Sequence, residues 1–198
     1  AEYTSLINSG FEKRAITWLA GRYAAKKAVM TLLPQIEPER IAIDKGVFDF
    51  PVLTLGAGYK AHTLSISHTP HLAVAVCSKE THPVGVDIEM VSDKTIGFGS
   101  DIYTSHDLDL LSAFAERRPY GYTAFWSAKE AISKVLRTGL MSPFALYEIA
   151  TMTDLGYCLK LTYSHFPQYQ CLVYNLQNHV LSIVLPARSK LSWQLNWK

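Results

Sequence analysis

Cysteine is scarce in this chain: three of its 198 residues are cysteines, and no two of them form a Cys-x-x-Cys pair. An odd number without paired spacing argues against a disulfide framework or a zinc knuckle and favours a reducing compartment. The chain also lacks an apolar run of the ~18 residues that a membrane-spanning helix needs, and no signal-peptide core is found near residue 1. We therefore expect a cytoplasmic protein that does not associate with membranes.

A large excess of charge of one sign is absent as well. Lysine and arginine number 19, aspartate and glutamate 17, and the formal net charge is +2. This excess is too small for a polybasic nucleic-acid binder, so we expect no nucleic-acid partner. The G-x-S-x-G elbow of serine hydrolases, the P-loop and the G-x-G-x-x-G dinucleotide motif are also missing. What remains is an ordinary globular composition, with 48% hydrophobic and 18% charged residues.

The beginning of the chain has the spacing of a helix. Ser9 and Glu12 are placed as in a capping box, and the helical pattern after them runs to Pro34, which ends it. The apolar side of this helix is predicted to consist of Phe11, Ala15, Leu19, Tyr23 and Val29.

The predicted elements follow a similar order in the two halves of the chain. Residues 41–60 are predicted to be irregular, and the apolar runs 62–68 and 72–78 to form a hairpin-like pair of strands. The second half predicts a strand at 84–89, helices at 107–117 and 121–137, and strands at 158–164, 169–176 and 179–185. We therefore predict an α+β fold whose two halves, 1–83 and 84–198, share one core.

Two carboxylates alternate with apolar residues in the predicted strand 84–89. Asp87 and Glu89 are two residues apart and point to the same face, whereas Val86 and Ile88 point into a core. One interpretation is a solvated strand face. The other is a divalent-cation site for Mg²⁺ or Mn²⁺, which take oxygen ligands and would relieve the repulsion between the carboxylates.

A third acid lies on the predicted helix 121–137. Its helical projection places Lys129, Glu130, Ser133 and Lys134 opposite the buried arc, together with Trp126. Glu130 and Lys134 have the i,i+4 spacing of a surface ion pair, which is the usual outcome for such residues. Trp126 favours a cleft instead, because a solvated face seldom carries an indole.

Three groups of basic or polar residues are ambiguous by themselves. Ser67 and His68 end a strand before a turn, where a histidine is more often structural than a ligand, although the pair can also donate to a phosphate. Arg22 and Lys26 are four residues apart on the first helix, a spacing typical of a solvated basic stripe. Lys45 precedes a turn and has no distinctive partner in the sequence.

Five segments together resemble the 4′-phosphopantetheinyl transferases, specifically their larger monomeric branch with the surfactin- and enterobactin-type enzymes. The segments are LAGRYAAKKAV, DKGVFDFP, LSISHT, PVGVDIE and FWSAKEAISK, in that order between residues 19 and 134. GVDIE alone is a weak signal. Its combination with the WSAKEAISK helix and the preceding SHT element is a strong one.

The resemblance implies a fold of two similar, pseudo-twofold-related α+β subdomains, each a small antiparallel sheet packed with helices, with coenzyme A in the cleft between them. It further implies a monomer that transfers the phosphopantetheine arm of coenzyme A to a serine of an apo acyl or peptidyl carrier protein. Adenosine 3′,5′-bisphosphate would be released, and Mg²⁺, or Mn²⁺, would be required.

The resemblance also implies roles for individual residues. Asp87 and Glu89 match the metal-binding acids of the family's GxDxE motif, and Glu130 and Lys134 match its WxxKExxxK helix. The Ser67–His68 element matches a Ser-His pair near the 3′-phosphate and adenosine end of coenzyme A. Arg22 and Lys45 match phosphate or nucleotide contacts. Two departures are Thr69, where many members have serine, and the extra residues before Pro51 in DKGVFDFP.

These implied roles suggest a mechanism and leave two alternatives. Mg²⁺ held by Asp87, Glu89 and Glu130 would bridge the pyrophosphate, Glu130 would take the proton of the carrier serine, and Lys134 would stabilise the departing bisphosphate. The first alternative is a Mg²⁺-dependent hydrolase that cleaves the pyrophosphate of coenzyme A with water. The second is a module that binds carrier proteins without catalysis.

Overall fold

The computed structural model describes residues 12–56, 59 and 62–192. The predicted cap at Ser9 and the predicted apolar residue Phe11 lie outside the described residues. None of the helices in the described part is long and apolar enough to cross a membrane.

The first helix, α1 (Glu12–Leu32), packs on a pair of strands through small residues. Gly21, Ala25 and Val29 are buried at a spacing of four, and a Cβ atom on Gly21 would lie 3.2 Å from a methyl carbon of Ile66. The predicted apolar side was wrong in part: Leu19 is 39% and Tyr23 68% exposed. The reason is that α1 has apolar residues on both sides, and the side with the smaller residues comes closer to the strands.

Two short antiparallel pairs follow α1. Strand β1 (Ala42–Lys45) pairs with β2 (Pro51–Thr54), and β3 (His62–His68) pairs with β4 (Ala73–Lys79). The hairpin prediction for β3 and β4 is confirmed. The prediction that residues 41–60 are irregular is wrong where β1 and β2 form. Strands of only four residues are too short to show a recognisable alternation of apolar and polar residues.

The second half contains a five-stranded antiparallel sheet in the order β5-β9-β8-β7-β6. Its strands are β5 (Gly85–Met90), β6 (Ile149–Asp154), β7 (Leu159–Tyr163), β8 (Tyr169–Leu176) and β9 (His179–Pro186). The sequence predicted four of these strands and missed β6.

Two α-helices precede β6 in the second half. Helix α2 (Ser105–Leu111) continues as a 3-10 helix over Ser112–Arg117, and helix α3 (Arg118–Leu136) packs across β5 and β9. Further 3-10 turns lie at Pro38–Arg40, Val47–Asp49, Asp93–Asp101, Gly139–Met141 and Phe144–Tyr147. The predicted helices at 107–117 and 121–137 therefore correspond to regular or 3-10 helix.

The two halves meet between β3 and β5. Val86 and Ile88 point into an apolar cluster with residues of β9 and β4, as predicted. The amide of Val86 donates to Ser65 Oγ of β3 over 3.0 Å, so a side chain replaces a strand ladder at this seam. The mixed helical and antiparallel architecture confirms the α+β prediction, whereas the division at residues 83 and 84 stays a prediction.

Candidate active site

Three carboxylates from two elements meet beside the seam. Asp87 and Glu89 come from one face of β5 and Glu130 from α3, and one oxygen of each lies within 4.8 Å of the others. Asp87 is fully buried, whereas Glu89 and Glu130 are half-buried. Strand alternation brings the first two together, and the contact of α3 with β5 adds the third.

A glycine at the start of β5 allows this close contact between strand and helix. A Cβ atom on Gly85 would collide with the backbone carbonyl oxygen of Ala131 and would lie 2.7 Å from Val135. Ala131 directly follows Glu130 in α3. The absent side chain therefore sets the distance between the acids on β5 and the acid on α3.

Lys134 and Ser67 both contact the buried acid. Lys134 Nζ lies 2.7 Å from Asp87 Oδ1 and 3.2 Å from the carbonyl oxygen of Val86. Ser67 Oγ donates to the same Oδ1 over 2.8 Å. The surface pair predicted as one interpretation of Glu130 and Lys134 is not formed: the ion pair of Lys134 runs to Asp87 on the neighbouring strand.

Burial, together with the nearby charge of Asp87, raises two pKa values at the site. Burial raises the pKa of Glu130 to about 8, the charge of Asp87 adds to the increase, and Lys134 opposes it. Burial likewise raises the pKa of Glu89 to about 7, again with a contribution from Asp87. Near neutral pH these two carboxyl groups are therefore close to their midpoints, so that each can accept or release a proton.

The acids fit a divalent cation. Asp87 Oδ2 is buried, and no donor among the described residues reaches it. Such an oxygen needs either a proton held by a neighbouring carboxyl group or a cation, because an unpaired buried charge is costly. A proton on Glu130 would serve as this donor, and it contributes to the high pKa of that group. Oxygen-only donors suit Mg²⁺ or Mn²⁺.

An aromatic wall borders the acids on one side. Trp126 is half-buried, and its Nε1 donates a long hydrogen bond of 3.4 Å to Glu89 Oε1. Its ring lies 4.8 Å from that of Phe98 and 5.5 Å from that of Phe144, measured between centroids. The position of Trp126 agrees with the predicted cleft wall rather than with a solvated face.

A cavity of about 350 Å³ opens from the other side, between the two halves of the chain. Glu130 and Lys134 lie in its wall, with β3 and the segment from Phe48 to Pro51 opposite them. Most of its other lining side chains are apolar. A volume of this size is in the range of small-molecule sites.

Three of the predicted ligand residues do not line this cavity. His68 is exposed at the end of β3. Arg22 donates to the carbonyl oxygen of Ile43, and its guanidinium group lies over the ring of Trp18. Lys45 Nζ lies 3.3 Å from Asp49 Oδ1. None of the three lines the cavity described above.

The sequence predicted the wrong environment for two residues of α3. Lys129, expected on the exposed arc of α3, is fully buried, with its Nζ 2.6 Å from Asp107 Oδ2. Ser133, expected on the same arc, is 2% exposed. Helix α3 is covered on both sides, because α2 and the turn at Phe144 pack where solvent was expected. Thr104 and Asp107 form a capping box at the start of α2, but no sequence signal pairs Asp107 with Lys129.

Three apolar residues of the segment 107–125 belong to the core or its edge. Phe114 is 5% exposed and packs in the main apolar cluster, and Leu110 and Tyr120 lie half-buried against the same cluster.

Known proteins provide an independent comparison. No curated protein matches the chain. The crystal structure of holo-[acyl-carrier-protein] synthase from Neisseria meningitidis is 18% identical, with a TM-score of 0.42, over 54% of this chain and 98% of that one. The Helicobacter pylori holo-[acyl-carrier-protein] synthase, solved with coenzyme A, is 16% identical, with a TM-score of 0.38, over 52% and 99%.

The sequence model of one family covers half of the chain. The 4′-phosphopantetheinyl transferase superfamily matches residues 83–184, a range that contains all three carboxylates and Lys134. The match begins two residues before Gly85 and ends in β9, so it includes β5, α3 and the whole five-stranded sheet except its last residues. The chain therefore belongs to the 4′-phosphopantetheinyl transferase superfamily.

Proposed function

We propose that this protein transfers the 4′-phosphopantetheine arm of coenzyme A to a serine of an apo acyl or peptidyl carrier protein. The observation that carries the proposal is the meeting of three carboxylates and one lysine, of which Glu130 and Lys134 line a cavity, in a member of this superfamily. The released product would be adenosine 3′,5′-bisphosphate. We also propose that the chain acts as a monomer of the larger branch of the family.

Asp87, Glu89 and Glu130 would hold a divalent cation, with Mg²⁺ favoured and Mn²⁺ possible. When bound, the cation would neutralise pyrophosphate oxygens and make the phosphorus more electrophilic. The buried Asp87 Oδ2, which lacks a donor, supports this assignment. Ser67 would act through Asp87, because its hydroxyl fixes the other carboxylate oxygen.

Glu130 would act as the general base. The serine oxygen attacks the phosphorus that carries the pantetheine arm, and the bond from that phosphorus to the nucleotide phosphate oxygen breaks. The serine proton passes to the Glu130 carboxylate, whose raised pKa favours its acceptance near neutral pH. The half-buried position of Glu130 at the cavity leaves it accessible to a substrate.

Lys134 would neutralise the departing nucleotide phosphate. Its ammonium group lies in the cavity wall and contacts Asp87. Electrostatic stabilisation of charge that develops on the leaving oxygen is the main contribution a protein makes to phosphoryl transfer. Contacts of His68, Arg22 and Lys45 with the nucleotide stay predictions, since their side chains lie outside the cavity.

The experiment is intact mass spectrometry of an apo acyl carrier protein after incubation with the protein, coenzyme A and Mg²⁺. We expect the mass of one phosphopantetheine group to be added, and EDTA to prevent the addition. Glu130→Gln should abolish transfer but retain coenzyme A binding, while the exposed matched control Glu116→Gln should transfer normally. Coenzyme A cleavage with no modified carrier would instead identify a hydrolase and refute the proposal.

A further inference from the structure

A buried hydroxyl lies next to the buried acid of the candidate site. Ser182 is the polar residue in the buried run Val180–Leu185 of β9, and it is inaccessible to solvent. Its register partner on β5 is Asp87, which is equally buried. Residues directly opposite each other in an antiparallel pair share one face of the sheet, with Cβ atoms about 4.5–5.5 Å apart. Ser182 therefore lies beside Asp87, on the face that α3 covers.

Each of these two side chains has an oxygen without a partner. Ser67 and Lys134 both contact Asp87 Oδ1. Asp87 Oδ2 and Ser182 Oγ are buried, and neither makes a hydrogen bond to any described residue. A buried hydroxyl without a partner costs free energy that an alanine in its place would not cost. An unpaired donor directly opposite an unpaired acceptor indicates that Ser182 serves Asp87 rather than the packing of the core.

The other polar neighbour of Ser182 is a thiol, and it does not explain the serine. Cys171 lies on β8, diagonally across the β8–β9 ladder from Ser182. Burial raises the pKa of the Cys171 thiol to about 12, and the Ser182 hydroxyl only opposes this increase. The thiol is therefore neutral near pH 7, and a neutral thiol is a weak hydrogen-bond partner.

We propose that Ser182 is a positioning residue, which donates its hydroxyl hydrogen to Asp87 Oδ2 when this carboxylate binds a divalent cation. The inference rests on the metal-binding role of Asp87 in the proposed function. A carboxylate oxygen has two lone pairs, so Oδ2 can accept from Ser182 and also bind a cation. Ser67 and Lys134 hold Oδ1, and Ser182 holds the other oxygen. The carboxylate is thereby fixed at both ends, and hydrogen bonds of this kind orient the groups that bind a metal.

The test is the affinity for Mn²⁺ in the presence of coenzyme A and without a carrier protein, measured from the paramagnetic resonance signal of free Mn²⁺. Ser182→Ala should weaken Mn²⁺ binding by about tenfold or more. The melting temperature of the metal-free variant should equal or exceed that of the wild type, because an unpaired buried hydroxyl is removed. A serine that only supports the core would show the opposite pattern, a lower melting temperature with unchanged Mn²⁺ affinity, and this result would overturn the inference.

Two further variants separate the hydroxyl from the packing around it. Cys171→Ala is the matched control, because it removes a fully buried polar group from the same face of the sheet, and it should leave the Mn²⁺ affinity nearly unchanged. Ser182→Thr retains a hydroxyl and should bind Mn²⁺ more tightly than Ser182→Ala. Equal losses of affinity in Cys171→Ala and Ser182→Ala would overturn the inference, as would a threonine variant that melts like the wild type but binds no better than the alanine variant.

The same measurements keep this inference distinct from the proposed function. Carrier modification by a wild-type protein that binds Mn²⁺ no better than Ser182→Ala would overturn the inference and leave the function standing. Weaker Mn²⁺ binding by Ser182→Ala, in a protein that modifies no carrier, would support the inference while the transferase assignment fails. Failure of the wild-type protein to bind Mn²⁺ would overturn both the inference and the proposed cation site.

Discussion

Removal of the buried lysine beside the site should strongly destabilise the protein. Lys129 and Asp107 are both inaccessible to solvent, and their charged atoms are 2.6 Å apart. Burial lowers the pKa of Lys129, and the charge of Asp107 opposes this shift. The pair is therefore ionic only as long as both partners are present, and each partner alone would be a poorly compensated buried group.

The magnitude follows from what Lys129→Met would leave behind. Asp107 would retain two backbone donors, Thr104 N and Ile149 N, both at 2.9 Å, but it would lose its counter-charge. Breaking a buried pair from one side costs about 3–5 kcal/mol. The methylene stem is replaced by a side chain of similar volume, so a cavity adds little. Because the free energy of unfolding decreases by about 2 kcal/mol for each molar of urea, the urea concentration at the unfolding midpoint should fall by about 1.5–2.5 M.

Urea unfolding followed by fluorescence measures this change. Lys94→Met is the control, because Lys94 is exposed, and a surface change of this kind should shift the free energy of unfolding by about 0.5 kcal/mol at most. Adding Asp107→Asn to Lys129→Met removes the unpaired charge but keeps one acceptor, so the double variant should be more stable than Lys129→Met alone. A loss below ~1 kcal/mol for Lys129→Met, or a double variant that is no better, would refute the reasoning.

Three further predictions concern the acids. Gly85→Ala should separate β5 from α3, because the new methyl group meets a backbone carbonyl oxygen, and it should reduce the rate of transfer by more than ~tenfold. The control Gly97→Ala should be nearly neutral, since open space surrounds Gly97. Equal activities of the two variants would contradict the close contact at Gly85. In the metal-free protein, Glu130 has a pKa of about 8 when folded and regains its ordinary pKa of about 4.5 when unfolded. The free energy of unfolding should therefore fall by on the order of 2–4 kcal/mol as the pH rises from about 4.5 to about 8. Denaturation at several pH values should show this decrease, and a smaller one in Glu130→Gln. Mg²⁺ should raise the melting temperature of the wild-type protein but not of Asp87→Asn, and equal shifts would argue against the metal site.

The predictable part of the site is the part governed by local periodicity. Alternation in β5 placed Asp87 and Glu89 on one face, and helical spacing placed Glu130 and Lys134 together before any tertiary contact was known. The structure adds the contact between β5 and α3 that joins them. Periodicity identifies which residues share a face, whereas the grouping of these four residues in one site was implied by the resemblance of their motifs to the family.

The parts that could not be predicted depend on what covers each face. Lys129 shares its arc with Glu130, yet it is buried, because α2 and the turn at Phe144 cover that part of α3. Leu19 and Tyr23 continue an apolar pattern and are nevertheless exposed, since Gly21 and Ala25 let the strands approach the other side. In each case a neighbour distant in sequence decides the outcome, and the local pattern contains no information about it.

The seam between the halves has a consequence for how a large ligand enters. The described β3–β4 pair and the five-stranded sheet share no ladder, and the amide of Val86 depends on the hydroxyl of Ser65. A ladder must break several backbone hydrogen bonds before its strands part, whereas this seam is held by the hydroxyls of Ser65 and Ser67 on Val86 and Asp87 and by an apolar cluster. Widening of the cleft would therefore leave every described strand pairing intact, and the backbone amide of Val86 should exchange with deuterium sooner than its neighbours in β9.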